Sequence, residues 1–237
     1  MRTLALFLLA SLAPSALLAA SVRSPLTLIE ETEHFRFLAG PSTKGSLRVD
    51  AKANERAFVE LAGQLGVTLR GKIEYQRLEF PEQVAVFAGD SSLWTTGVAH
   101  PESLVIQSTL ASHPHEIVHI LSHQLGSPSS FFVEGLAVEL GDRGKLYGQS
   151  VDALARPIAR GSLAEQTLAS FRAVDAQASY ALAGSFMRYA VRTWGLSRVI
   201  QFFRSSHDGG EDEGRVFEAS FGVTLPAALA SWRKGIL

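Results

Sequence analysis

The chain has 237 residues, of which 46% are hydrophobic, which is enough to bury a globular core and is unlike a disordered or fibrous composition. Lys and Arg number 22 against 23 Asp and Glu, so the charge gives no reason to expect nucleic acid or an acidic membrane surface as a partner. The absence of cysteine excludes disulfides, thiol nucleophiles and thiolate metal ligands, and leaves His, Asp and Glu as possible ligands.

Residues 1–20 have the pattern of a secretory signal peptide. A positive residue follows the first Met, the run from Leu4 to Leu18 is mostly Leu, Ala and Phe, and small residues follow it. An uncleaved membrane anchor is disfavoured because Pro14 interrupts a run shorter than the ~20 apolar residues of a span. We therefore expect a mature chain of residues 21–237 that has no membrane span and is secreted or periplasmic, and its oligomeric state stays open.

The mature chain divides by pattern into a strand-bearing lobe, about 25–145, and a helical lobe, about 146–237, of one domain. A helix is predicted in VDAKANERAFVELAGQLG, ending at Gly66. Extended segments are predicted in HFRFLAG, GKIEYQRLEF, QVAVFAG and TTGVAHPESLVIQS, the last with a turn at His100-Pro101.

After residue 140 the signals are mainly helical. The predicted helices are SLAEQTLASFRAV, YALAGSFMRYAVRTWG, LSRVIQFFRSS and a last piece ending in LPAALASWRKG. Two polar, Gly-rich stretches separate elements: DRGKLYGQSVD, a candidate hinge between the lobes, and HDGGEDEG, a candidate exposed loop. The pattern as a whole predicts an α+β fold.

The strand-bearing lobe contains a pentapeptide of the form HExxH, His115 to His119. Its spacing of one helical turn places both imidazoles on one face about 6 Å apart along the axis, near enough to hold one cation. Glu116 lies about 100° around the helix and can reach a water on that cation. Apolar neighbours such as Ile117 and Val118 indicate that the helix is buried.

A second element, FFVEGLA at Phe131–Ala137, supplies a further carboxylate. Stop and restart signals at 126–128 allow two helices to fold back on each other, which brings Glu134 toward His115 and His119. Two His and one Glu form one of the ligand sets of catalytic zinc, in which the fourth position is left for water. The sequence therefore predicts a metal site formed by these three residues.

Together the two motifs resemble those of the gluzincin zinc peptidases, most closely the small peptidase-MA-like domains related to the catalytic domain of aminopeptidase N. In that family HExxH is followed by an aromatic-apolar-x-Glu-Gly-x-Ala segment whose Glu is the third ligand, and FFVEGLA is similar to it. The resemblance implies one Zn²⁺ per chain, held by His115, His119 and Glu134. It also implies a thermolysin/gluzincin-like fold, with a mixed sheet and active-site helix followed by a helical lobe.

Three further segments bear on the resemblance. YALAGSF is similar to the start of a later helix in the aminopeptidases, where a Tyr assists catalysis; this points to Tyr180, although Gly184 follows it by four residues rather than three. The aminopeptidases bind the substrate amine through a Gly-Ala-Met-Glu-Asn segment. Its nearest counterpart in this chain, Gly97–His100, lacks the Glu, so exopeptidase action is not supported. Where gluzincins often carry a histidine-orienting carboxylate, Val138 stands with Glu139 beside it.

The resulting hypothesis is a secreted zinc metallopeptidase, an endopeptidase acting on peptide or protein substrates, with Glu116 as general base and Tyr180 as oxyanion donor. Two alternatives stay open: an inactive peptidase-like module that binds a peptide or cell-wall partner, and a hydrolase of a non-peptide amide. Tyr147 and Tyr189 are reserve candidates for Tyr180.

Two histidines near the motif are predicted to lie outside the metal site. His123 is two turns, about 12 Å, from His115 and is expected to be packed or hydrogen-bonded. His113 precedes Pro114 and is expected to be exposed.

Overall fold

The structure is a computed structural model. It describes residues 26–40, 42, 47–87, 95–160, 162–171, 175–207 and 212–237. The predicted signal peptide lies outside these residues, as do residues 208–211 of the HDGGEDEG segment. Within the described ranges the fold is mixed α+β, and no helix there is long and apolar enough to cross a bilayer.

The described strands belong to one mixed sheet and one small ribbon. They are β1 (Thr27–Glu31), β2 (Phe35–Ala39), β3 (Ile73–Arg77), β4 (Gly97–His100), β5 (Val105–Ser108), β6 (Lys145–Leu146) and β7 (Gln149–Ser150). The sheet has the order β1-β2-β3-β5-β4, and β6 pairs with β7. β2, β3 and β5 are parallel, whereas β1 and β4 run antiparallel to their neighbours at the two edges.

The helices lie mostly in the second half of the chain. They are α1 (Ala51–Leu65), α2 (Pro81–Phe87), α3 (Pro114–Ser122), α4 (Ser130–Leu136), α5 (Val151–Ala155), α6 (Leu163–Ala169), α7 (Ala176–Trp194), α8 (Leu196–Ser205), α9 (Glu213–Phe221) and α10 (Leu225–Ile236). A 3₁₀ turn covers Pro101–Ser103, and a π-helical turn, Ala137–Gly141, directly continues α4.

Local sequence explains the best-predicted elements. In β2, Phe35 and Phe37 are fully buried while Arg36 between them is exposed, which is the alternation of a strand with one buried face. At the start of α1 the Asp50 side chain accepts a hydrogen bond from a backbone N–H, and Gly66, at φ 61°, ends the helix in a left-handed conformation.

One connected hydrophobic cluster joins the sheet, α3 and the helices of the second half. Tyr75 of β3, Ile117 of α3 and Phe186 of α7 all belong to it and are fully buried. α3 also contacts α1, edge strand β4 and the π-helical turn. Packing therefore holds α3, the helix that carries His115 and His119, and fixes the direction of its polar face.

The structure differs from the sequence-based expectation at several elements. QVAVFAG was expected to be extended, but its residues as far as Phe87 belong to α2, which starts at Pro81. The Gln83 side chain accepts hydrogen bonds from two preceding backbone N–H groups and so stabilises the start of this helix. β1 and α9 were not predicted at all. DRGKLYGQSVD, expected to be a hinge, forms the β6–β7 ribbon.

Candidate metal centre

The three predicted ligands come together where α3 meets α4. α3 starts with Pro114 at its first turn, where a missing N–H is tolerated. The ring centroids of His115 and His119 are 4.8 Å apart. Nε2 of each ring lies 3.3 Å from the same oxygen, Oε2 of Glu134.

The donor types and their spacing fit a zinc ion. Two imidazoles and a carboxylate leave one tetrahedral position for water. At zinc–ligand distances of about 2.0–2.1 Å, tetrahedral donors lie about 3.3 Å from each other. This is the separation between each histidine Nε2 and the Glu134 oxygen. The side chains can therefore hold a cation with little rearrangement.

Asp142, a residue that the sequence analysis did not single out, orients the first histidine. Nδ1 of His115 donates to Oδ2 of Asp142 at 2.7 Å, which turns Nε2 toward Glu134. A carboxylate on the far nitrogen fixes the ring orientation of a metal-binding histidine. Gly141 permits the approach, because a β-carbon there would lie 2.6 Å from Cα of His115.

The π-helical turn Ala137–Gly141 explains why the carboxylate stands at Asp142. A π turn inserts residues into the α-helical spacing and redirects the chain that follows. Val138 has no carboxylate to offer, and Oε2 of Glu139 lies 3.4 Å from Nη1 of Arg188 and so forms an ion pair. Counting regular helical turns from Glu134 therefore does not identify Asp142 as the carboxylate that orients His115.

We expect Asp142→Ala to weaken zinc binding by about 10- to 100-fold, because His115 loses the partner that fixes its orientation. Competition with a chelator of known affinity measures the change. Asp212→Ala, which removes an exposed aspartate at the start of α9, serves as the control and should bind zinc as the wild type does. Wild-type affinity in Asp142→Ala would show that the contact does not support the ligand.

Electrostatics separates the two glutamates of the site. Burial raises the pKa of Glu116, which is 5% exposed, and the charges of His119 and His115 only partly oppose it. Burial acts in the same direction on Glu134, but the charge of His119 and hydrogen bonds from both histidines hold that pKa well below its usual range. Glu134 thus suits the role of an ionised ligand, and Glu116 is better placed to exchange a proton.

The electrostatics of His115 reflects its two carboxylate partners. Burial alone would lower its pKa, but the hydrogen bonds to Asp142 and Glu134 outweigh burial and hold the pKa well above its usual value. The cluster therefore favours positive charge between these carboxylates, which is also what a bound cation supplies.

Tyr180, near the start of α7, lies beside the predicted ligands. Its ring centroid is 6.0 Å from that of His115, and the phenol is close enough to the Glu134 carboxylate to feel its charge. Burial, followed by the negative charges of Glu134 and Glu116, raises the pKa of Tyr180. The phenol is therefore protonated at neutral pH and able to donate a hydrogen bond.

Two glycines bring α7 close to α4. A β-carbon at Gly135 would lie 2.6 Å from the carbonyl oxygen of Ala183, and one at Gly184 would lie 2.5 Å from Cγ1 of Val138. The glycine of FFVEGLA thus allows the backbones of two helices to touch. Although Gly184 follows Tyr180 by four residues rather than three, the tyrosine ring still lies beside His115.

The two other histidines of the motif region are placed opposite to expectation. His113 was expected to be exposed, but it caps α3 and is only 8% exposed, because its ring packs beneath β4; burial lowers its pKa to about 3. His123 was expected to be packed or hydrogen-bonded, but it is exposed at the C-terminal end of α3. The predicted exposure of His113 and the predicted packing of His123 are therefore wrong, whereas neither residue belongs to the group formed by His115, His119 and Glu134.

The reserve tyrosines lie apart from the ligand cluster. Tyr147 is 80% exposed at the tip of the β6–β7 ribbon. Tyr189 packs its ring against Phe186 and Trp194. Tyr180 is therefore the tyrosine that the structure brings to His115 and Glu134.

Glu33, His34 and Glu55 form a second group whose possible ligand atoms lie within 4.8 Å of one another. Here a ring nitrogen of His34 contacts the Glu55 carboxylate directly, and Thr32 Oγ1 donates to the same carboxylate at 2.6 Å. Stacking of His34 on Phe58, with ring centroids 4.1 Å apart, completes a structural contact between β2 and α1. These polar atoms already satisfy one another.

Comparisons with known proteins identified no relative of this chain. No family model matches it, and neither the curated proteins nor the solved structures yielded a match.

Proposed function

We propose that the chain is a secreted zinc metallopeptidase of the gluzincin type that hydrolyses internal peptide bonds. The observation that carries the proposal is the convergence of His115, His119 and Glu134 on one point, with buried Glu116 beside them. Asp142 behind the first histidine and Tyr180 next to the ligand carboxylate add the two supporting groups that such a site uses.

Zinc is the metal proposed because two imidazoles, one carboxylate and an open fourth position form a catalytic zinc set. When bound, zinc would lower the pKa of a coordinated water and polarise the scissile carbonyl. The side chains available to hold it are His115, His119 and Glu134. The 3.3 Å separations from each histidine Nε2 to the Glu134 oxygen match those between tetrahedral zinc ligands, so binding needs little reorganisation.

Glu116 is proposed as the general base and then the general acid. Its carboxylate takes a proton as the water oxygen attacks the carbonyl carbon, and returns that proton to the amine nitrogen when the C–N bond breaks. Burial raises the pKa of Glu116, which suits both transfers, because a carboxyl group that binds a proton more readily than usual can take it as a base and return it as an acid. Tyr180 donates its O–H to the oxygen that gains negative charge during the attack.

The edge strand β4 is proposed to hold the peptide. It runs antiparallel at the end of the sheet and contacts α3, the helix that carries Glu116. An extended peptide can add to such an edge through backbone hydrogen bonds. Because this strand carries no Glu to anchor a free amine, internal bonds should be cleaved.

Peptides with blocked N- and C-termini test the proposed endopeptidase activity. We expect mass spectrometry to find internal cleavage of blocked peptides and no stepwise loss of terminal residues from unblocked ones. Stepwise release of N-terminal residues, with blocked peptides left intact, would instead show an aminopeptidase.

We expect Tyr180→Phe to lower kcat by about 10², because the lost O–H acts mainly on the charge that develops in the transition state. KM and zinc content should change little. Tyr189→Phe is the matched control, since its ring packs among aromatic side chains away from the ligands. If Tyr180→Phe retains kcat and only melts at a lower temperature, the tyrosine has a structural role and not a catalytic one.

A further inference from the structure

His113 is a buried polar residue to which the proposed mechanism gives no task. It precedes α3, and its ring lies between the edge strand and the general base. Nε2 of His113 is 3.8 Å from Oε1 of Glu116. On the opposite side of the ring, Nδ1 is 2.9 Å from Oγ of Ser108. The ring therefore connects β5 to the Glu116 carboxylate.

The hydrogen bonds around Ser108 indicate which ring nitrogen carries the proton. Its Oγ accepts from the backbone N–H of Leu110 at 2.9 Å and has one proton to donate. One possible acceptor, the Thr96 carbonyl at 3.2 Å, already accepts from the backbone N–H of Thr109 at 2.8 Å. The other, Nδ1 of His113, is nearer at 2.9 Å. Ser108 donating to Nδ1 leaves the proton of the neutral ring on Nε2.

The side of the ring facing Glu116 leads to the same tautomer independently. A bare Nε2 lone pair opposite a carboxylate oxygen would be repelled, whereas an N–H there is attracted. At 3.8 Å the interaction is an electrostatic contact and not a hydrogen bond. In a site buried as deeply as Glu116, such a contact is weakly screened.

Packing prevents the ring from turning away. A β-carbon at Gly97 would overlap the His113 ring and lie 3.1 Å from Cγ of Glu116, so the strand packs closely over the ring and over the stem of the Glu116 side chain. The backbone is held as well, because N–H of His113 donates to Oδ1 of Asn54 at 3.3 Å. Asn54 is fully buried and also donates to the carbonyl oxygen of Ala111 at 3.1 Å.

We propose that His113 is a positioning residue for Glu116: its Nε2–H, fixed by Ser108 and by packing under Gly97, holds the Glu116 carboxylate in the orientation used for proton transfer. The inference rests on the proposed function for its catalytic consequence, but the contact between His113 and Glu116 can be tested without it. The position of the His113 ring also explains why β4 has a glycine at Gly97, where a β-carbon would overlap the ring.

Two substitutions distinguish positioning from simple packing. In His113→Gln the amide N–H can take the place of Nε2–H, so kcat should stay within about threefold of the wild type. His113→Leu fills the space without a donor and should lower kcat by about tenfold or more, with KM and zinc content unchanged. His123→Leu, at the exposed end of the same helix, is the control. Wild-type kcat in His113→Leu would overturn the proposal.

Nitrogen NMR of the histidine rings gives a readout that needs no substrate. In the purified protein we expect the neutral His113 ring to carry its proton on Nε2, and Glu116→Gln to shift that resonance, whereas Glu139→Gln should not. A proton on Nδ1, or no response to Glu116→Gln, would contradict the proposal. If no peptide is cleaved but the NMR result holds, the proposed function fails and the His113–Glu116 contact stands.

Discussion

Glu116→Gln should lower kcat for peptide hydrolysis by roughly 10²–10⁴-fold while zinc content and melting temperature stay near those of the wild type. Glutamine has the size of the buried glutamate but cannot accept the proton of the attacking water. Because Glu116 is not among the three predicted ligands, its loss should leave the metal in place. Steady-state kinetics and elemental analysis of the same preparation measure both effects.

Glu139→Gln is the matched control for this experiment. It neutralises another shielded carboxylate in the same region, one that pairs with Arg188 and does not approach the histidines. We expect it to lower stability, since it removes one of the two carboxylates that pair with Arg188, but to leave kcat per folded molecule unchanged. Equal turnover by Glu116→Gln and the wild type would remove Glu116 from the role of general base.

Glu134→Ala should abolish tight zinc binding. A site with three protein ligands that loses one retains two, which is too few to hold zinc tightly. The substitution also leaves Nε2 of both histidines without the carboxylate oxygen that they share at 3.3 Å. Elemental analysis after dialysis should find about one zinc per chain in the wild type and far less in the variant.

His115→Ala should behave like Glu134→Ala, and His123→Ala should retain full zinc occupancy, because His123 is exposed at the end of α3. Circular dichroism of each variant separates loss of the metal from loss of the fold. Full zinc occupancy in folded Glu134→Ala would mean that the third ligand is another residue.

The grouping of His115, His119 and Glu134 could be predicted because its geometry is local. One helical turn separates His115 from His119, and a short connection returns the chain so that Glu134 faces them. The supporting residues could not be predicted in this way. Asp142 reaches the site only through a π-helical turn, and His113 is buried only because an edge strand from elsewhere in the chain covers it.

The same distinction applies to the fold. The α+β class and the long helices follow from periodicity, which is strong in α1 and α7. β1 escaped prediction because all five of its residues are exposed, so it shows no alternation of buried and exposed positions. The apolar run in α2 is too short to distinguish a helix from a strand, and its Pro81 start and Gln83 cap decide the outcome.

Reversible metal dependence of peptide cleavage tests the central claim most directly. The purified wild type is assayed on a broad peptide library as isolated, after removal of metal by a chelator, and after addition of zinc. A zinc endopeptidase should show internal cleavage that disappears on chelation and returns with one zinc per chain. Cleavage that persists without metal would contradict it, and so would a fully zinc-loaded protein that cleaves no peptide, which would favour a binding module or a hydrolase of another amide.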